Sequence, residues 1–112
     1  MSSRPVVLRA AAAVDVEKAV DHYVAEAGED IALGFIDAYE KAVARLARHP
    51  SSDSSRYAHI VEIVGLRCLA LARYPFLIFY VAGDERIDVW RVLHAQSDIP
   101  ARMSDGDDQP YS

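Results

Sequence analysis

Lysine and cysteine are scarce in this chain, and each scarcity removes a class of function. Lys18 and Lys41 are the only lysines beside ten arginines, and 17 acidic residues against 12 basic ones leave a net charge of −5. A protein that lives on nucleic acid needs surplus cations to neutralise phosphates, and here there is a deficit. Asp105, Asp107 and Asp108 near the end do not conceal a basic domain, because the remainder stays acidic without them. Cys68 has no second cysteine to pair with, and its place between Arg67 and Leu69 in an apolar stretch suits a small buried hydrophobe. One thiol and no disulfide framework fit a reducing compartment, so a cytoplasmic location is expected.

Long apolar runs are missing too. Nothing approaches the roughly 18 residues that a membrane span requires. The opening stretch is not expected to be a signal peptide, since Arg9 interrupts it before a full hydrophobic region develops. There is no Gly-rich phosphate loop and no nucleophile-elbow serine. His22, His49 and His59 share no ligand spacing and have no cysteine partner, so neither a metal nor another cofactor is expected.

What the chain does have is a core and two periodicities. Hydrophobic residues make up 52% of 112, enough for one domain. Val6 to Arg9 reads as a short strand. From Ala10, the apolar positions Val16, Val20, Tyr23, Val24 and Ala27 recur at helical spacing, with acids between them, and Gly28 stops the run. Asp30 looks like the N-cap of a second helix whose stripe runs through Ile31, Phe35, Ile36, Tyr39, Val43 and Leu46 until Pro50. Cations gather in its last turns, where the helix dipole favours them. A link of two or three residues makes the pair an antiparallel hairpin.

Ser51 to Ser55 form a polar crossover loop. Strand-like segments follow at Leu66–Arg73, Phe76–Val81 and Ile87–Leu93, with Gly83-Asp84 marking a hairpin turn. The result is an α+β fold: an N-terminal strand, then an antiparallel two-helix hairpin packed on an antiparallel sheet of about four strands. The domain is expected to span 1–103, and the acidic tail 104–112 to be disordered.

Several segments resemble the ParE-type toxins of the RelE/ParE type II toxin–antitoxin superfamily. The first helix carries Asp15-Val16-Glu17-Lys18-Ala19-Val20-Asp21-His22-Tyr23-Val24, similar to the family's D-L-x-x-I-x-x-Y-I. The second carries Phe35-Ile36-Asp37 and then Ala42-Val43-Ala44-Arg45-Leu46 up to His49-Pro50. More specific is the sheet sequence, in order: Gly65-Leu66-Arg67, then Tyr74-Pro75-Phe76-Leu77-Ile78-Phe79-Tyr80, then Arg91-Val92-Leu93-His94-Ala95. The similarity spans roughly residues 6 to 100. One position departs from it: the family often has arginine just before the aspartate of its last motif, and Ser97 stands there.

The resemblance implies a growth-inhibiting toxin neutralised by a ParD-like antitoxin, with DNA gyrase bound and stalled as the target. Contact with DNA would come only through the antitoxin. Arg45, Arg48, Arg73 and Arg91 would face the acidic antitoxin tail. Two other readings stay open: a RelE-like endoribonuclease cutting mRNA on the ribosome, and a remnant that binds antitoxin without harm. For a ribonuclease, Arg73, Arg91, His94 and Tyr80 are the candidates, arginine steadying a phosphorane while His94 or Tyr80 moves a proton. Arg91 and His94 lie three apart on a strand, so they converge only if the chain bends after Leu93. In the competing reading the arginines pair with carboxylates such as Asp88 or Asp98 and Tyr80 packs in the core. The acids of the first helix, Asp15 among them, read as its wet side.

Overall fold

The computed structural model describes residues 4–49 and 63–107. Pro50 as the stop of the second helix and the polar loop Ser51–Ser55 lie outside them. The elements run β1 (Val6–Leu8), α1 (Ala10–Ala27), α2 (Glu29–Arg48), β2 (Leu66–Ala70), β3 (Phe76–Ala82), β4 (Ile87–His94) and α3 (Ile99–Asp107). None of the described helices is long and apolar enough to cross a membrane.

The α+β architecture is the one the sequence leads to, with a refinement at its edge. The sheet order is β1-β4-β3-β2, and β2–β3 and β3–β4 are antiparallel, whereas β1 pairs with β4 in parallel, Leu8 opposite Val89. The sheet is therefore mixed. A register shift at Phe79/Tyr80 leaves Trp90 without an opposite residue, a β-bulge of the kind that re-aims the side chains after it.

Helical spacing explains the hairpin. Ala12 and Ala19 of α1 are buried, as are Ala32, Phe35, Ala42 and Leu46 of α2; they meet Ile78, Tyr80, Ile87, Val89 and Val92 on one face of the sheet. The link between the helices is shorter than the spacing suggests. Gly28 alone ends α1 and begins α2, at a φ of 95° that L side chains rarely adopt. Asp30 is therefore not the N-cap. It sits with Glu29 in the first turn of α2, where a negative charge complements the dipole.

The dense apolar run of β3 follows from cover on both faces. Ile78 and Tyr80 point to the hairpin, while Leu77 and Phe79 join Leu66, Cys68, Leu93, Ile99 and Met103 on the far side. The last two belong to α3, a helix that the sequence reading does not contain. Asp98 Oδ1 accepts from the Ala101 amide at 3.4 Å and Pro100 lies in the first turn, where its missing N–H costs nothing. Ile99 and Met103, four apart, bury one side of the helix, which continues past position 103 to Asp107.

Tyr74 staples the β2–β3 turn to α2. Its hydroxyl donates to the Ile31 carbonyl at 3.0 Å, and its ring meets Tyr23 and Phe35 edge-on at 5.4 and 5.7 Å. Gly34 makes room for it, because a Cβ there would collide with the Tyr74 hydroxyl. Alanine ordinarily stabilises a helix interior by about 1 kcal/mol over glycine. Gly34→Ala is expected to have the opposite sign, a loss of about 1–3 kcal/mol from overpacking. In a Tyr74→Phe background the loss should shrink, and urea unfolding of the four combinations measures both.

Burial pushes the Tyr23 hydroxyl above the ordinary phenol range, with Tyr74 adding to it; burial and then Glu40 do the same for Tyr39. A phenol with a raised folded-state pKa stabilises the fold below its unfolded value of about 10, and that contribution is lost as pH rises through the folded value. Thermal unfolding midpoints are expected to fall above about pH 10, and to fall less in Tyr39→Phe.

Candidate functional site

β1 ends at Leu8, opposite Val89, so β4 runs on beyond the last strand that could pair with that edge. There α1 crosses and supplies an acceptor from a side chain. The Val92 amide donates to Asp15 Oδ2 at 2.9 Å. Arg91 closes on the same carboxylate with two parallel bonds, Nε to Oδ2 at 2.7 Å and Nη2 to Oδ1 at 2.8 Å. Its remaining nitrogen, Nη1, donates to the Arg102 carbonyl in α3. Both side chains are only 9% exposed. Planar, bidentate pairing of this kind is what a guanidinium does and an ammonium does not.

This pairing answers the question the sequence leaves open at Arg91. It is paired with a carboxylate, but the partner is Asp15, which the helical pattern assigns to the wet face. Asp88 instead faces Arg9 at 3.7 Å, and Asp98 caps α3. Arg91 is thus no part of a surface cluster, and its place among antitoxin-facing residues is withdrawn. Tyr80 is fully buried in the core under the hairpin.

The other candidates are scattered. Arg73 is exposed on the β2–β3 turn at a φ of 73°. The neighbouring Tyr74 touches the start of α2, whereas Arg45 and Arg48 occupy its last turn. At 1.5 Å per residue those two ends are about 20 Å apart. His94 is exposed at the end of β4, with its ring 5.2 Å from Phe76 and its Nδ1 accepting from the Gln96 amide at 3.0 Å. With Nδ1 an acceptor, a neutral ring carries its proton on Nε2. The backbone and hydroxyl of Ser97 both donate to the His94 carbonyl, at 3.0 and 2.7 Å. The residue at the family's arginine position therefore fixes the turn after β4.

His94 lines a cleft of about 260 Å³ between α1 and the end of β4. Phe76 and Val92 give it an apolar lining; Lys18 and His22 of α1 and Arg102 of α3 bring cationic or protonatable groups to it, and Asp15, also in the lining, is engaged by Arg91. The sequence reading did not assemble this set. Part of its signal was present, since Asp15, Lys18 and His22 are spaced three and four apart and share one side of α1. Arg102 carries no such signal, since the helix that brings it to the rim is not expected from the sequence. The arrangement suits an anionic guest with an apolar neighbour. Among the described residues no group of three or more His, Cys, Asp or Glu is placed to hold a metal.

Removing one member of a buried pair leaves an uncompensated charge, at a cost of about 3–5 kcal/mol. Asp15→Ala and Arg91→Met should each destabilise by that order. Asp15→Leu combined with Arg91→Met should recover most of it, leaving about 1–3 kcal/mol for the Val92 amide that has lost its acceptor. Denaturant midpoints of the single and double variants give the comparison.

The family model described as "ParE toxin of type II toxin-antitoxin system, parDE" matches residues 6–99. A solved structure titled "Chromosomal ParDE TA system from P. aeruginosa" is similar with a TM-score of 0.70 and 24% identity, over 84% of this chain and 98% of that one; at that identity the likeness speaks for the fold. No curated protein sequence matches. The match of the family model runs from β1 to the start of α3, through the hairpin and all four strands, and on it the chain belongs to the ParE toxin family of type II toxin–antitoxin systems.

Proposed function

We propose that this toxin acts by binding rather than by chemistry, that DNA gyrase is its target, and that a ParD-like antitoxin holds it silent. The observation that carries the first part is the burial of Arg91. The residue best suited to steady a phosphorane is 8% exposed and spends its donors on Asp15 and Arg102. Tyr80, the alternative proton carrier, is enclosed as well. With Arg73 on a separate turn, the set that would cut RNA does not converge. The acidic balance of the chain points the same way, toward a protein target.

For the antitoxin, the support is complementary charge. The cleft rimmed by Lys18, His22, His94 and Arg102 is suited to an acidic segment that carries an apolar side chain, and Arg45, Arg48 and Arg73 extend the cationic surface at the two ends of the hairpin. Acidic segments that fold against a partner are a common way for a small protein to be wrapped and inhibited.

One observation favours the ribonuclease reading: His22 and His94 line a single cleft together with Lys18 and Arg102, and such groups could move protons at a phosphate. The experiment must therefore separate the two. Induced without antitoxin, a gyrase inhibitor is expected to give filamentous cells and a DNA-damage response with mRNA intact, and the purified chain should block supercoiling by gyrase. Early arrest of translation with cut transcripts would establish the ribonuclease instead, and normal growth would point to a harmless remnant. For the partner, charge reversal at Arg45, Arg48 and Arg73 together should weaken binding of the antitoxin; unchanged affinity would remove the electrostatic argument.

A further inference from the structure

Among the described residues three have a positive φ, and two of them, Gly28 and Gly65, are glycines. The third is Arg73, at 73°. A side chain on such a residue crowds its own backbone, and glycine there would remove the strain. Bonds on both sides hold the turn in this shape. The Leu71 amide donates to the Phe76 carbonyl at 3.0 Å, and the Phe76 amide to the Tyr74 carbonyl at 2.8 Å. The Ala95 amide ties the Pro75 carbonyl to the end of β4 at 2.8 Å, and the Tyr74 hydroxyl ties the turn to Ile31. Pro75 narrows the backbone choices of Tyr74 as well.

The fold makes no use of the side chain held this way. Arg73 is exposed, and its guanidinium has no hydrogen-bond or ion-pair partner among the described residues. Strain that the surroundings enforce, at a residue with no internal role, is the signature of a functional position. The first turn of α2, to which Tyr74 is fastened, adds an apolar group and two charges: Ile31 is 43% exposed, and Glu29 and Asp30 precede it.

We infer that Arg73 is the residue by which the toxin grips the protein it inhibits, its guanidinium forking onto a carboxylate of that protein's folded surface. It rests on the reading that the toxin acts by binding a protein. A turn already held in place suits a folded partner, because little freedom is lost on binding. Phosphate is the other anion that a guanidinium fits. A nucleic-acid strand crossing from Arg73 to the start of α2 would run onto Glu29 and Asp30, whereas a protein can set one carboxylate at Arg73 and an apolar side chain at Ile31. An acidic antitoxin would be drawn to the same cation, so the test is made without one.

The full chain is induced in cells that lack the antitoxin, unmodified and as Arg73→Gly, Arg73→Lys and Arg73→Glu, and growth and transcripts are followed at equal protein levels. The same four proteins are purified for denaturant unfolding and for inhibition of gyrase supercoiling. Arg73→Gly should unfold at the same or a higher denaturant midpoint, since glycine relieves the positive φ. It should nonetheless inhibit on the order of ten-fold less well, as expected of a central contact. Arg73→Lys keeps the charge without the fork and should fall between the two, and Arg73→Glu should lose most. Growth arrest that depends on Arg73 while gyrase stays active would support the contact and remove gyrase as its target, so the two readings fail separately. Undiminished arrest by Arg73→Gly or Arg73→Glu, normal growth with the unmodified chain, or transcript cutting that depends on Arg73 would each overturn the inference. So would a lower midpoint for Arg73→Gly, which would make the arginine a structural residue.

Discussion

One ion pair between residues 76 positions apart, Asp15 and Arg91, joins the three layers of this molecule. The need for it arises where β1 stops after three residues and leaves the rest of β4 with an edge to satisfy. A backbone amide enclosed without an acceptor costs about as much as a lost hydrogen bond. Asp15 answers for Val92, but a carboxylate taken out of water needs a counter-charge, and Arg91 is the neighbouring residue on the same strand. The guanidinium in turn has a donor left over, which finds the Arg102 carbonyl and fastens α3 over the far face of the sheet. Each group is there because the one before it required a partner. Buried pairs of this kind are weak sources of net stability, since desolvation offsets the attraction, but they tolerate only one arrangement.

That constraint shapes the surface. Engaging Arg91 internally removes the strongest phosphate-binding group from solvent and leaves the cleft beside it with Lys18, His22, His94 and Arg102. The same helix then divides two unlike surfaces. One side of α1 borders this cleft; the other shares with α2 a depression lined by Val20, Ile36 and Tyr39, with Glu17, Asp21 and Glu40 beside them.

The sequence made some of this legible and concealed the rest for physical reasons. The hairpin could be read because Phe35, Ala42 and Leu46 recur at the helical period and meet a single core. β3 could be read because its apolar run is unbroken, though the cover on its far face could not. The partner of Arg91 could not be found from spacing. Helical periodicity assigns a residue to the side facing the main core or away from it, and Asp15 lies on neither, because it turns to the edge of β4 at Arg91 and Val92. α3 was hidden by Pro100, since a proline marks the end of one segment and the first turn of the next equally well. The Ile99–Met103 pair, four apart, was the signal that counted. The parallel pairing of β1 has no local signature in three residues.

Native-state hydrogen exchange at the Val92 amide addresses the central interaction most directly. Val92 lies beyond the last residue of β4 that β1 pairs with, and its amide donates to a carboxylate on α1. If Asp15 and Arg91 pin the three layers, this amide should exchange as slowly as the amides at the centre of β3, through global unfolding, and should become fast in Asp15→Ala while β3 stays protected relative to it. Exchange at the rate of an exposed turn in the unmodified chain would contradict the account.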